Sequence, residues 1–124
     1  MKWSCVMLFV GTTACGGGPS PREICEHGVA VICERIYTCY TDAERAAANY
    51  PVTEAGCVTV LETEQYGCAN KTPVNVCDAN EMWHSEEAER CIDQVANLEC
   101  SQVRSSNFNV EHEAPACERV CQVE

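Results

Sequence analysis

Hydrophobic side chains recur at three- and four-residue steps along several stretches of this chain, which is the spacing of one face of an α-helix. The first stretch covers residues 21–40, where Pro21 suits a first helical turn. Asp42 caps a short second helix, and a third starts after the N-cap residue Thr53 and stops at Gly67. The apolar positions of the first stretch are Ile24, Val29, Ile32, Ile36 and Tyr40.

The second half of the chain shows the same helical spacing. Ser85 caps a helix with acidic residues in its first turn, where the helix dipole favours them, and Pro115 opens a short last helix. Residues 69–80 and 105–114 between these elements are polar and rich in turn formers. Because strand-like alternation is scarce, the sequence predicts an all-α fold, a small helical bundle of three to five helices.

The first residues of the chain have the pattern of an export signal. Lys2 precedes an apolar run at residues 3–10, and small residues continue to Ala14. The run is much shorter than the roughly 20 residues that a membrane-spanning helix needs. We therefore predict a bacterial signal peptide at residues 1–14 and no transmembrane helix.

The residues at the end of this signal resemble a lipobox, in which the chain is cut immediately before a cysteine that receives acyl chains. Thr13 and Ala14 suit the two positions before Cys15, whereas Thr12 stands where Leu, Val or Ile is usual. Ordinary signal cleavage is the alternative. We predict lipid attachment at Cys15, followed through residue 21 by a flexible Gly- and Pro-rich tether.

Cysteine parity supports this prediction. The chain has twelve cysteines, of which Cys5 leaves with the signal and Cys15 carries lipid, so an even number remains in residues 22–124. Cysteines at about 10% of a short exported chain indicate a disulfide scaffold in an oxidising compartment, with no free thiol. The cysteines predicted to pair are Cys25, Cys33, Cys39, Cys57, Cys68, Cys77, Cys91, Cys100, Cys117 and Cys121.

Helical phase suggests two of the pairs. Cys25 and Cys39 lie on one face of the first helix, and Cys57 and Cys68 lie on one face of the third, because both spacings are close to whole numbers of turns. Antiparallel packing of these helices predicts Cys39–Cys57 and Cys25–Cys68 bridges. Cys33 is then expected to face the Ser85 helix or the C-terminal tail, and the other pairs stay open.

Charge limits the classes of partner. The formal net charge is −11, with 19 acidic and 8 basic residues. Such a surface repels nucleic acid phosphates and anionic lipid head groups. A cationic protein or peptide partner is compatible with it, although strong net charge also serves solubility alone.

Two closely spaced cysteines near the C-terminus are the first candidate for chemistry. Cys117 and Cys121 are separated by three residues, whereas redox and zinc motifs have two, and no C-x2-C occurs in the chain. We predict that both cysteines form structural bridges to other segments.

Histidine and carboxylate side chains offer little evidence of a metal site. His27 and His84 lie far apart and outside any H-E-x-x-H motif, and His112 sits between Glu111 and Glu113 in the segment VEHEAP. That segment is either a weak metal-binding loop or a solvated polar loop, and we predict the second. No metal and no cofactor are expected.

Catalytic motifs are also missing from the sequence. Ser85 lies outside any G-x-S-x-G motif and no P-loop is present, so we predict that the chain is not an enzyme. Trp83 and Met82 form an apolar pair that could anchor a partner. We predict instead that they cover the end of the following helix.

Three segments together resemble a protein family. The leader ending ACGGGPSP, the segment CDANEMWHSEEAERCIDQVANLECSQV and the closing PACERVC look like the small cysteine-rich lipoproteins of myxobacteria. The resemblance implies a lipid-anchored location and a disulfide scaffold, and it transfers no active residue beyond Cys15. Gly16, by resemblance to known lipoproteins, is compatible with transport to the outer membrane.

The sequence therefore leads to two functional hypotheses. The first is a non-enzymatic interaction module of the cell envelope, lipid-anchored, expected at the outer membrane, with a protein or peptide partner of unknown identity. The alternative is a secreted, disulfide-stabilised helical inhibitor or toxin-like effector.

Overall fold

The computed structural model describes residues 18–123, and the predicted signal peptide and Cys15 lie outside this range. Helices dominate the described part, in agreement with the predicted fold class, and two very short strands complete it. The helices are α1 (Pro21–Cys39), α2 (Asp42–Ala47), α3 (Glu54–Val60), α4 (Ser85–Ala96), α5 (Cys100–Val103) and α6 (Val110–Glu113). The strands are β1 (Met82–Trp83) and β2 (Cys121–Gln122).

Helix α1 begins at Pro21, as predicted, because Ser20 forms a capping box with Glu23. The Ser20 hydroxyl accepts a hydrogen bond from the Glu23 backbone N–H at 3.2 Å, and the Glu23 carboxylate accepts one from the Ser20 N–H at 2.7 Å. Such a box satisfies two backbone donors that the helix itself leaves free. Ser20, which lies in the predicted tether, thus caps the helix, and Pro21, predicted both as the last tether residue and in the first helical turn, is the first residue of α1.

Helices α2 and α3 begin at Thr N-caps. The α2 cap is Thr41, whose hydroxyl accepts from the Glu44 backbone N–H, so the prediction of Asp42 as the cap was one residue late. Thr53 caps α3 as predicted. Beyond α3 the chain continues as a π-helical turn, Leu61–Gln65. This helical segment stops before Gly67, whose φ of 58° is left-handed.

The start of α4 differs from the prediction. The N-cap is His84 and Ser85 is the first helical residue. The backbone N–H of His84 donates to the Val120 carbonyl at 2.9 Å, which continues the antiparallel pairing of Trp83 with Cys121. The short β1–β2 ladder therefore positions the helix, and a two-residue strand is too short to show as alternation in the sequence.

One short helix occurs where a polar loop was expected, and the predicted last helix is only a short turn. Helix α6 lies within residues 105–114 and is capped by Asn109, whose side-chain oxygen accepts from the backbone N–H groups of Glu111 and His112. The predicted last helix is present as a 3₁₀ turn, Pro115–Arg119. Single helical turns of this length depend on capping and tertiary packing more than on periodicity.

All ten predicted cysteines are paired, and the described residues contain no free cysteine. The Cys25–Cys68 bridge is present as predicted, but Cys39–Cys57 was wrong because Cys57 pairs with Cys33. Along α1, Cys25 and Cys33 are about 12 Å apart and Cys25 and Cys39 about 21 Å, and it is the closer pair that bonds to Cys68 and Cys57. The bridges are Cys25–Cys68, Cys33–Cys57, Cys39–Cys100, Cys77–Cys121 and Cys91–Cys117.

Helix α1 is the centre of the fold, with α3 on one side and α4 on another. The order of the Cys25–Cys68 and Cys33–Cys57 bridges makes the segment that begins with α3 antiparallel to α1, as predicted. Helix α4 runs parallel to α1, since Gly28 lies opposite Ile92 and Arg35 reaches the Leu98 carbonyl at 3.1 Å. The core cluster between α1 and α3 consists of Val29, Cys33, Cys57 and Cys68.

Candidate functional site

A broad apolar groove with a volume of about 920 Å³ runs along α1. Its α1 side has no cysteine and is distinct from the face that packs on α3. We call this cavity the α1 groove. The apolar residues that line it from α1, from α4 and from the turn after α4 include Gly28, Val31, Ile32, Ile36, Ile92, Val95 and Leu98.

Exposed aromatic and aliphatic side chains form the rim of the α1 groove. Tyr50, Tyr66, Phe108 and Val110 line it and are between 37% and 44% exposed. They come from three different segments, so the groove exists only in the folded chain. Exposed aromatic side chains around an apolar depression are typical of surfaces that bind partners.

Charged side chains in the α1 groove are already engaged inside the protein. Arg35 donates to both oxygens of Glu34 at 2.8 Å and to the Leu98 carbonyl at 3.1 Å. The hydrogen bonds between Arg35 and Glu34 lower the pKa of Glu34 and raise the pKa of Arg35. Arg35 therefore joins α1 to the end of α4 and presents little free charge to a ligand.

Arg45 is a buried charged residue of the groove lining, with 9% exposure. It donates to the backbone carbonyls of Tyr37 and Tyr40 and to the Asp42 carboxylate. Its guanidinium also lies 4.3 Å from the centre of the Tyr37 ring, a distance at which the cation and the ring attract each other. Arg45 fixes α2 against the end of α1.

Glu44 has the strongest pKa shift that the described residues show. Hydrogen bonds from Arg104, followed by the one from the Thr41 backbone N–H, lower its pKa to about 2. Arg104 donates in addition to the Cys39 carbonyl at 2.8 Å. The carboxylate thus stays charged and paired at neutral pH, and it serves to connect α2 with the end of α5.

The cysteines give no evidence of redox or metal chemistry within residues 18–123. Cys117 bonds to Cys91 and Cys121 to Cys77, which are the structural bridges that we predicted for this pair. No cluster of three or more His, Cys, Asp or Glu side chains within this range has the proximity that a metal ion needs. Every cysteine in it is part of a disulfide.

The structure keeps the candidate histidines apart. His27 is exposed on α1 and shares a small acidic depression with Glu23, Glu89 and Asp93. His84 is the N-cap of α4. In the VEHEAP segment, the imidazole of the 85%-exposed His112 lies 3.5 Å from a Glu113 oxygen, and Glu113 accepts from the Gln102 side chain at 2.7 Å. Glu111 is exposed in the same helix.

Trp83 and Met82, predicted to cover the end of the following helix, form strand β1 directly before α4. Trp83 is half-buried and pairs with Cys121, next to the Cys77–Cys121 bridge, whereas Met82 is 48% exposed. Neither residue lines the α1 groove. Ser85 is the first residue of α4, and Gly18 lies close against it.

The α1 groove was not predicted from the sequence, although one signal for it was present. Helix α1 carries a core face with Val29 and Cys33 and a second apolar face with Val31, Ile32 and Ile36. A helix with so wide an apolar surface needs more than one neighbour to cover it. Recognising that the second face stays partly open requires the positions of α2, α4 and the residue 108–110 segment.

A scan against protein-family models, a search of curated proteins and a search of solved structures each found no match to this chain. Within residues 18–123, no helix has both the length and the apolar character needed to cross a membrane. The resemblance to myxobacterial lipoproteins stays a prediction.

Proposed function

We propose that this chain is a non-enzymatic interaction module that is anchored by lipid at Cys15 to the bacterial cell envelope, at the outer membrane. The observation that carries the interaction part is the α1 groove, a wide apolar depression with an aromatic rim. Its charged side chains Arg35, Glu44 and Arg45 are bound within the fold, which favours binding over catalysis. No nucleic acid partner is proposed, because the net charge is −11.

The anchoring part rests on the sequence before the described residues. Cys15 follows an export signal and lies three residues before Gly18, where the described chain begins. The folded part is capped at Ser20, so the lipid would hold the domain close to the membrane surface. Five bridges in the described domain suit the oxidising compartment that such an anchor implies.

Labelling with radioactive palmitate in a bacterial host that processes lipoproteins tests the anchor. The wild-type chain should carry label and fractionate with membranes, and Cys15→Ala should lose both properties. Cys5→Ser is the matched control, because this cysteine lies in the predicted signal and should leave the label unchanged. Label that persists in the Cys15→Ala chain would refute the anchor.

A secreted inhibitor or effector is the second candidate function. The observation that favours it is the number of bridges, since small exported effectors rely on disulfides where a large core is missing. Fractionation separates the two candidates. An anchored module should remain with the cell envelope, whereas a secreted effector should accumulate in culture fluid without lipid.

A further inference from the structure

We propose that the α1 groove docks an amphipathic helix with basic flanks, supplied by a partner protein. This inference rests on the proposed interaction function and adds the chemical class of the partner. Three properties of the groove support it: the elements that line it, its length and the charge around it.

The lining elements favour a helix over an extended peptide. The groove is bordered mainly by helices, and neither β1 nor β2 contributes a residue to its lining, so it offers no strand edge. Among residues 18–123, every buried side-chain N or O atom has a hydrogen-bond partner. Because the charged side chains of the lining are bound within the fold and the groove has no strand edge, an occupant that satisfies its own backbone N–H and C=O groups, as a helix does, fits better than an extended segment.

The dimensions of the groove suit a short helix. Its α1 side extends from Gly28 to Tyr40, a distance of about 18 Å at the helical rise per residue. A partner helix of about 12 residues covers that length and places an apolar side chain toward the groove at each turn. Tyr50, Tyr66 and Phe108 on the rim are the residue types that contribute most where helices dock in grooves.

Charge around the groove favours a basic partner over an anionic lipid. Arg35 and Arg45 are paired with carboxylates of this chain and contribute no surplus positive charge. Glu99 and Glu111 are exposed and adjacent in sequence to the lining residues Leu98 and Val110, and no Lys or Arg between residues 18 and 123 pairs with either. With a net charge of −11 for the chain, the approach of a fatty acid carboxylate is opposed and that of lysine side chains is assisted.

Fluorescence anisotropy with defined peptides tests this proposal. The protein is the exported full chain with Cys15→Ala, which avoids detergent. The probe is a labelled 14-residue peptide with leucine at helical spacing and lysine elsewhere, and its counterpart has glutamate in place of lysine. We expect the lysine peptide to bind and to gain helical circular dichroism, and the glutamate peptide to bind at least about tenfold more weakly.

Groove variants separate docking from general attraction between opposite charges. The double variant Phe108→Ala with Val110→Ser, and separately Tyr66→Ser, should each weaken lysine-peptide binding by about tenfold or more, because each removes rim contacts. Val74→Ser is the matched control, since Val74 is 92% exposed and outside the groove, and its binding should equal that of the parent. Unchanged thiol labelling and circular dichroism verify that the variants fold.

Two results would overturn the proposal. Equal affinity in the groove variants and in Val74→Ser would mean that the peptide binds through surface charge alone. Binding of a fluorescent fatty acid that is lost in the groove variants, without competition from the lysine peptide, would assign the groove to a lipid. Because the protein used lacks Cys15, neither result depends on whether the lipid anchor is correct.

Discussion

Arg104 donates hydrogen bonds to both oxygens of Glu44, at 2.9 and 2.6 Å, across 60 residues of sequence. The same guanidinium lies 5.0 Å from the centre of the Tyr40 ring and donates to the Cys39 carbonyl. This contact joins α2, the end of α1 and the end of α5 beside the Cys39–Cys100 bridge. It therefore stabilises one end of the α1 groove.

The Arg104–Glu44 contact should make stability depend on pH in the acid range. The pKa of Glu44 is about 2 in the folded chain, against about 4.3 in an unfolded chain. A depressed pKa gives a contribution that is complete above the unfolded value and is lost as the pH falls from about 4.3 toward about 2. The melting temperature of Glu44→Gln should be lower than that of the wild type at neutral pH, and the two should converge near pH 2.

Thermal unfolding followed by circular dichroism, with the disulfides intact, measures this convergence. Glu118→Gln serves as the control, because this glutamate is exposed and Arg104 pairs with Glu44 instead. Glu23 and Glu34 also have lowered pKa values, so some acid sensitivity should remain in Glu44→Gln. A gap between wild type and Glu44→Gln that stays constant down to pH 2 would contradict the prediction.

Arg45 should be the most sensitive charged position of α2. Arg45→Ala removes the guanidinium that donates to the Tyr37 and Tyr40 carbonyls and leaves these partly buried groups without that donor. We therefore expect the free energy of unfolding to fall by about 1–3 kcal/mol. Arg45→Lys keeps the charge but lacks the planar guanidinium that donates to several acceptors at once. It should therefore recover only part of the lost stability. Urea unfolding measures both changes.

The Asp42 side chain gives the matched control for Arg45. It is 99% exposed although it pairs with Arg45, and exposed ion pairs contribute about 0–1 kcal/mol. Asp42→Asn should therefore have a small effect. If Asp42→Asn costs as much as Arg45→Ala, the ion pair rather than the carbonyl contacts would be the main source of the stabilisation.

Most helices of this fold could be predicted from local signals. Ser20, Thr41 and Thr53 are N-cap residues whose effect acts over three or four positions, and Gly67 ends its helix through backbone freedom alone. The short helices α5 and α6 were not predicted, since a single helical turn carries no full period. The β1–β2 pairing depends on Trp83 and Cys121, which lie far apart in sequence.

The disulfide pairing shows where helical phase is insufficient. Phase correctly assigned Cys25 to Cys68 but favoured Cys39 over Cys33 for Cys57, because Cys39 lies closer to the face of Cys25. A helix contacts its neighbour over a wide face, so Cys33 also reaches α3. The parallel approach of α4 brings Cys100 to Cys39, which leaves Cys33 as the partner of Cys57.

Two glycines should respond to alanine with opposite signs. A Cβ at Gly28 in the middle of α1 would lie 3.9 Å from the nearest Ile92 atom, an ordinary contact, so Gly28→Ala should add about 0.5–1 kcal/mol of stability. Gly67 has a φ of 58° and open space around it, so Gly67→Ala should cost about 1–2 kcal/mol through the backbone alone. Urea unfolding of both variants checks the signs. Destabilisation by Gly28→Ala would indicate that the α1–α4 contact is tighter than the structure has it.

Two bridges allow the effect of burial to be separated from that of loop length. Cys33 and Cys57 are 0% and 1% exposed and 24 residues apart, whereas Cys77 and Cys121 are partly exposed and 44 residues apart. The chain-entropy model makes the longer loop more stabilising by about 0.5 kcal/mol. Replacing Cys33 and Cys57 by serine, however, would bury two hydroxyls without partners, which costs about 1–3 kcal/mol each and makes the loss of this bridge more destabilising.

The double variant Cys33→Ser with Cys57→Ser should therefore lose more stability than Cys77→Ser with Cys121→Ser. We expect a loss of about 2–4 kcal/mol for the second variant, which is the usual contribution of a bridge. The buried pair should lose at least about 1.5 kcal/mol more, because two unpaired hydroxyls outweigh the small difference in loop entropy. Urea unfolding of the two variants, each without a free thiol, measures the order. A larger loss for the Cys77–Cys121 variant would mean that loop closure, and not the core around α1 and α3, determines what each bridge contributes.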